Sequence, residues 1–350
     1  MSGGYVRSDE TISKVHLSKT SRSNDPQPPS CIRQGCCGGV PLYRHLERPE
    51  DRNAVIDLTH KCLASQPYRA SFLLKLISGE PMRFLSFLAL VLMFPFAVAA
   101  CGTDSRCEVS GGYYLAAEPD DWDGRSPLRL VVYFHGWNGS PEGTFRNKGM
   151  VRGATSRGAL FVAPFAATGY WRQMGAGRAE RGRDEAAYIR AVMADIRRRW
   201  PIDDAQTLAS GFSRGGSMVW NAACYTGDLF RAYAPIAGGF WRSNPDTCPT
   251  GPVNLRHIHG LSDRVVAFDE VGVYNSMPIP EGLNILAKMN GTKDTKRTVE
   301  SGDKRLTCTR WDRSESGRVL ELCLHDRGHS IPAEWVGHGL DWLEGLPDGF

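Results

Sequence analysis

Three residues of this chain have the types and the order that acyl transfer by a serine requires: Ser213, Asp263 and His329. A serine hydroxyl is a poor nucleophile until a base takes its proton, and an imidazole serves as that base when a carboxylate holds its tautomer. Ser213 lies in Gly211-Phe212-Ser213-Arg214-Gly215. That spacing suits a sharp strand-to-helix turn, with glycine where the two elements nearly touch. The pentapeptide alone arises by chance, but the chain order serine, aspartate, histidine is one of three known arrangements of such a group. The plainer alternative is a serine that caps a helix.

Each partner has rivals. Asp263 lies in His259-Gly260-Leu261-Ser262-Asp263, after an apolar strand pattern; Asp269 is the runner-up, and a turn cap or a pairing with Arg264 is the structural alternative. Three histidines follow Asp263. His325 falls at a strand end and His338 in a helical stripe, whereas His329 follows Gly328 in a loop, with backbone freedom to reach the serine. A developing oxyanion needs donors, and the backbone N–H groups of Trp137 and Arg214 are the candidates. His135, ahead of both, is read as shaping its loop rather than as a base.

The elements that must carry these loops follow from periodicity. Gly111–Ala117, Leu128–Phe134, Ala159–Pro164, Thr207–Ser210, Ala232–Ile236 and Val253–His259 read as strands. Leu128–Phe134 is apolar nearly throughout, as in a parallel sheet covered on both faces. From Asp184 the apolar period becomes 3.6 through Tyr188, Ile189, Val192, Met193 and Ile196, and Pro201 ends the helix. Lys304–Arg313 and Val319–His325 read as paired strands, and Pro332–Leu346 as a closing helix. Strands alternating with helices predict an α/β fold with a mostly parallel central sheet and helices on both faces. Residues 101–350 are expected to form one catalytic domain.

The N-terminal part reads differently. Met82-Arg83 followed by an apolar run to Ala100 has the parts of a signal peptide. Residues 1–81 lack period and are expected to be a non-native or disordered extension. Of 42 Lys and Arg and 38 Asp and Glu, 11 and 8 fall in residues 1–81. The remainder is therefore near neutrality, with no basic face for nucleic acid. Six cysteines follow residue 100, which predicts export and three disulfides; proximity favours Cys101–Cys107, Cys224–Cys248 and Cys308–Cys323. The expected location is secreted or periplasmic, with no stable membrane insertion once the signal is removed. A lipid on Cys101 is the alternative that Val98-Ala99-Ala100-Cys101 suggests.

From about Cys107 to Trp342 the chain resembles the α/β-hydrolase superfamily, and within it the exported poly(3-hydroxybutyrate) depolymerase-like and feruloyl-esterase-like serine esterases. The resemblance rests on His135-Gly136, Gly211–Gly216, His259-Gly260 with Asp263, and Gly328-His329 before Pro332. It implies a catalytic role for Ser213, Asp263 and His329. The chain departs from the pattern at Trp137, where Cys is frequent, and at Ile331, where Trp is frequent. It ends at Phe350 without a linker and surface-binding module, so a small-molecule or oligomeric ester is expected rather than solid polymer. Trp137, Trp171 and Trp241 are expected to rim the site and bind a short-chain or aryl acyl group, without metal or cofactor. Acyl transfer or peptide cleavage by the same residues is the alternative, as is a binding protein on this fold.

Overall fold

The computed structural model describes residues 101–175, 182–241, 245–273 and 275–347. The expectations for residues 1–81 and for a signal peptide over 82–100 lie outside the described residues. Ten strands form one sheet: β1 (Cys107–Val109), β2 (Gly112–Ala117), β3 (Leu128–Phe134), β4 (Ala159–Pro164), β5 (Ile202–Phe212), β6 (Ala232–Ile236), β7 (Leu255–Gly260), β8 (Arg297–Val299), β9 (Thr307–Trp311) and β10 (Leu320–His325). Their spatial order is β1-β2-β4-β3-β5-β6-β7-β10-β9-β8. The six central strands, β4 to β10 in that order, run parallel. The pairs at each edge are antiparallel.

The helices are α1 (Pro141–Arg146), α2 (Lys148–Thr155), α3 (Glu185–Arg199), α4 (Arg214–Tyr225), α5 (Ile279–Asn290) and α6 (Glu334–Glu344). The period of β3 shows why the sheet needs cover on both sides. Leu130, Val132 and Phe134 enter one apolar layer with residues of α3, α4 and α5. Val131 and Tyr133 enter the other, with Phe145, Met150, Val336 and Leu340 from α1, α2 and α6. Successive side chains point to opposite faces, so a strand buried on both faces must be apolar at almost every position. The predicted α/β-hydrolase architecture is the one observed.

Local chemistry sets the helix ends. The Asp184 side chain accepts from the Ala187 N–H, Glu185 lies in the first turn of α3, and Arg197, Arg198 and Arg199 lie in the last, matching the helix dipole. The structure adds elements that periodicity does not signal: β1, β8, α1, α2 and α5. Pro280 and Gly282 make α5 look like a loop in sequence. Proline is nevertheless tolerated in a first turn, and Gly291, at φ 63°, closes the helix in the left-handed region.

All three expected disulfides are present: Cys101–Cys107, Cys224–Cys248 and Cys308–Cys323. Cys308 and Cys323 are directly opposite across β9 and β10. The bond to Cys107 occupies the Cys101 sulfur, which corrects the alternative of a lipid there. Three such bonds fit a protein of an oxidising compartment. Among the described residues no helix is long and apolar enough to cross a membrane.

Candidate active site

Four loops at the carboxyl ends of β3, β5, β7 and β10 converge, the place where parallel sheets put their ligands. Ser213 lies between β5 and α4 with φ 57° and ψ −122°, a backbone conformation costly for a residue with a side chain. The turn closes tightly because of Gly211 and Gly215. A Cβ on Gly211 would lie 2.7 Å from the Gly215 carbonyl group, and one on Gly215 would lie 1.8 Å from the Phe134 oxygen.

His329 Nε2 lies 2.8 Å from Ser213 Oγ, and His329 Nδ1 lies 2.7 Å from Asp263 Oδ2. The other carboxylate oxygen of Asp263 accepts from the N–H groups of Val265 and Val266, at 2.8 and 3.0 Å. Burial raises the Asp263 pKa, but hydrogen bonds from His329, Val265 and Val266 outweigh it and leave the group below its ordinary value. An ionised carboxylate can only accept. It therefore places the His329 proton on Nδ1 and leaves Nε2 to accept from the Ser213 hydroxyl. Phe212 packs against the imidazole with ring centroids 4.8 Å apart.

The rival residues lie elsewhere. Asp269 is exposed, whereas Asp263 is buried. His325 accepts from the Arg327 N–H and packs on Trp335. His338 lies within α6 and offers its carbonyl to Arg256.

Behind Asp263 is a pair of buried histidines. His257 Nδ1 lies 3.1 Å from the Pro235 carbonyl oxygen, and His259 Nε2 lies 2.8 Å from the Val266 carbonyl oxygen. The two rings meet through His257 Nε2 and His259 Nδ1 at 2.9 Å. Burial pushes the His257 pKa well below its usual value, and the neighbouring ring adds to the effect. Burial likewise pushes His259 down to about 4. His259 thereby holds the backbone that cups the Asp263 carboxylate.

Beside Ser213 is a cavity of about 140 Å³ lined by Trp137, Ser213, Arg214, Ser217, Trp241, Val265, Val266 and Ser276. A larger hollow, of about 420 Å³, lies near α5 and β9 and includes none of these residues. Convergent polar groups, not size, make the smaller one the candidate site. Trp137 is 63 % exposed and stacks on Tyr170 with ring centroids 4.7 Å apart. The Arg214 guanidinium lies 3.8 Å above the Trp241 ring.

Trp171 requires a correction, because it is not on the rim. Its indole is fully buried, meets Phe134 edge-on and donates to the His135 carbonyl at 2.9 Å. A large apolar ring with one N–H is most stable where both needs are met, which here is beneath the loop. The cavity walls Ser217, Val265, Val266 and Ser276 were not read from the sequence as lining a site. Ser217 follows Ser213 by one helical turn, a spacing that signals a shared face; Ser276 carries no such signal.

No family model matches the chain. A probable feruloyl esterase C of Aspergillus niger is 29% identical over 170 residues, covering 46% of this chain and 58% of that protein. A probable feruloyl esterase C of Aspergillus clavatus is 27% identical over 275 residues, covering 72% of this chain and 92% of that protein. Among solved structures, an acetyl xylan esterase from Aspergillus awamori is 15% identical with a TM-score of 0.47, covering 65% of this chain and 94% of that one.

Proposed function

We propose that this feruloyl-esterase-like α/β hydrolase cleaves carboxylic esters through an acyl-enzyme on Ser213. The observation that carries the reading is the unbroken hydrogen-bond chain from Ser213 Oγ through His329 to Asp263, set on a strained turn. Ser213 Oγ attacks the ester carbonyl while His329 Nε2 takes its proton. Asp263 stabilises the imidazolium that forms, without taking the proton itself. The carbonyl oxygen becomes an anion, and the N–H groups of Trp137 and Arg214 are its proposed donors. Gly136 supports the proximity, since a Cβ there would lie 3.7 Å from the Ser213 Cβ. His329 then protonates the leaving alcohol, and water repeats the sequence to release the acid.

The cavity beside Ser213 is small, and Trp137 and Trp241 give it flat apolar walls. A short acyl chain or a single aryl acyl group fits that description, as in hydroxybutyrate oligomers or hydroxycinnamate esters. Export follows the same reading, with Met82–Ala100 as the signal and three disulfides formed after it. The test is a fluorophosphonate probe with peptide mapping, beside a panel of p-nitrophenyl esters, methyl ferulate and soluble hydroxybutyrate oligomers. Labelling at Ser213 and turnover of short or aryl esters are expected. A protein that neither labels nor turns over any of them is not this enzyme.

A further inference from the structure

Two proposed oxyanion donors, Trp137 N–H and Arg214 N–H, belong to different loops, one after β3 and one at the start of α4. Their separation must hold to a fraction of an ångström for both to reach one oxygen. A three-residue segment in the connection between β4 and α3 touches both loops. The Gly169 carbonyl accepts from the Asn138 N–H at 2.7 Å. The Tyr170 ring stacks on Trp137 with 12° between the planes. The Trp171 indole N–H donates to the His135 carbonyl at 2.9 Å, and the Trp171 carbonyl accepts from Arg214 Nε at 2.7 Å. The segment is itself tied to α4, because Met174 N–H donates to Asn221 Oδ1 at 3.1 Å.

We propose that Gly169-Tyr170-Trp171 is a brace whose residues position the two halves of the oxyanion hole, so that the enzyme stabilises the transition state only while this segment is in place. The inference rests on the acyl-enzyme reading of Ser213. Each half is held at more than one point. Gly169-Tyr170-Trp171 grips the β3 loop at His135, Trp137 and Asn138 and the elbow helix at Arg214, and Met174, three residues on, adds a hold at Asn221. Single hydrogen bonds leave rotation about the bond, whereas contacts on both sides of Trp137 fix the direction of its N–H. The loop's connecting role explains why a tryptophan is buried at Trp171. Its ring fills the space beneath Phe134 and His135 while its N–H and carbonyl face opposite loops.

Trp171→Phe keeps an aromatic ring and removes the indole donor; Tyr170→Ala removes the stack on Trp137, and Tyr170→Phe keeps it. The variants are compared with the wild type for kcat and KM on p-nitrophenyl acetate and for inhibition by a short-chain trifluoromethyl ketone. That ketone adds Ser213 Oγ to its carbonyl, passes the serine proton to His329 and places an oxyanion in the hole. Thermal unfolding verifies that each variant is folded. A shift of about 1 Å in a reacting geometry costs ~10²-fold. We expect kcat to fall ~10–100-fold in Trp171→Phe and about threefold to tenfold in Tyr170→Ala, with KM within about twofold and the ketone weakened in parallel. Tyr170→Phe is expected to match the wild type. A change in KM alone, or unchanged kcat and ketone affinity in both disruptive variants, overturns the brace. Should Trp171→Phe fail to fold, unchanged kcat in Tyr170→Ala overturns it by itself. Wild-type protein that ignores both the fluorophosphonate and the ester overturns the acyl-enzyme reading and the brace together. Fluorophosphonate labelling with indifferent variants removes the brace alone.

Discussion

Gly215 lies directly beneath the carbonyl of Phe134, so close that a Cβ at Gly215 would be 1.8 Å from that oxygen. The contact joins the first turn of α4 to the end of β3 and brings Ser213 beside the loop that begins at His135. Backbone, not a flexible side chain, occupies the space. Gly215→Ala should therefore destabilise by at least about 3 kcal/mol, beyond the usual cost of overpacking, or abolish folding. Urea unfolding of the purified variant measures this. A midpoint within error of the wild type would mean that the turn is looser than described.

Loss of the proton relay should stop chemistry without unfolding the protein. Ser213→Ala and His329→Ala are each expected to lower kcat by about 10⁴–10⁶, and Asp263→Asn by a similar or slightly smaller factor. Asn at this position no longer offers an ionised acceptor to His329 Nδ1, so the tautomer is lost while the backbone bonds from Val265 and Val266 can persist. His325→Ala and His338→Ala serve as contrasts, since the His325 ring meets the Arg327 N–H and Trp335, and His338 lies within α6. Steady-state kinetics across the five variants decides the roles; a larger loss in either contrast variant would reassign the base.

Stability should fall on mild acidification because of His257 and His259. Their folded pKa values are pushed down, to about 4 for His259, against ~6.5 for the unfolded chain. The unfolded state therefore binds more protons in this window, and unfolding free energy decreases as pH drops from about 6.5 toward 4. The groups facing His259 act in opposite directions: Asp263 favours its charged form, and His329 and His325 disfavour it. For His259 the loss is on the order of 3 kcal/mol over the full window. Unfolding midpoints at several pH values measure the slope, and the double variant His257→Gln with His259→Gln should flatten it. An equally steep slope in that variant would assign the acid sensitivity to other groups.

The Cys308–Cys323 bond closes a separation of 15 residues at the β9–β10 pair. A loop of that size is worth about 3 kcal/mol through the unfolded chain. Replacing both cysteines with alanine should lower the denaturant midpoint accordingly while esterase turnover persists, because the bond lies outside the residues lining the cavity. Denaturant titration and an activity assay on the same sample test both halves. Lost turnover in a variant that remains folded would tie this edge of the sheet to the site.

Much of the fold was written in local sequence. Leu128–Phe134, Ala159–Pro164 and Ala232–Ile236 occupy the residues their apolar runs indicated, since burial on both sheet faces leaves few polar positions to blur the ends. Asp184 and Pro201 bracket α3 for equally local reasons, a side-chain cap and a missing N–H. The disulfide partners also followed from proximity along the chain. Where local signals conflict with context, the sequence is silent: Pro280 and Gly282 disguise α5, and the three-residue strands β1 and β8 are too short to show a period.

Ser213, Asp263 and His329 could be singled out by residue type, loop position and order. Their meeting could not, because the hydrogen bonds of His329 reach across 66 and 116 residues. Only the parallel sheet, by aligning the ends of β5, β7 and β10, brings those loops to one edge. Trp171 shows the same division. Its sequence neighbourhood marks an aromatic residue in a loop, and nothing local says whether the ring faces substrate or supports the backbone. The packing of Phe134, His135 and Arg214 around it decides, since a buried indole is stable only where its N–H finds an acceptor, and that acceptor comes from a strand end 36 residues away.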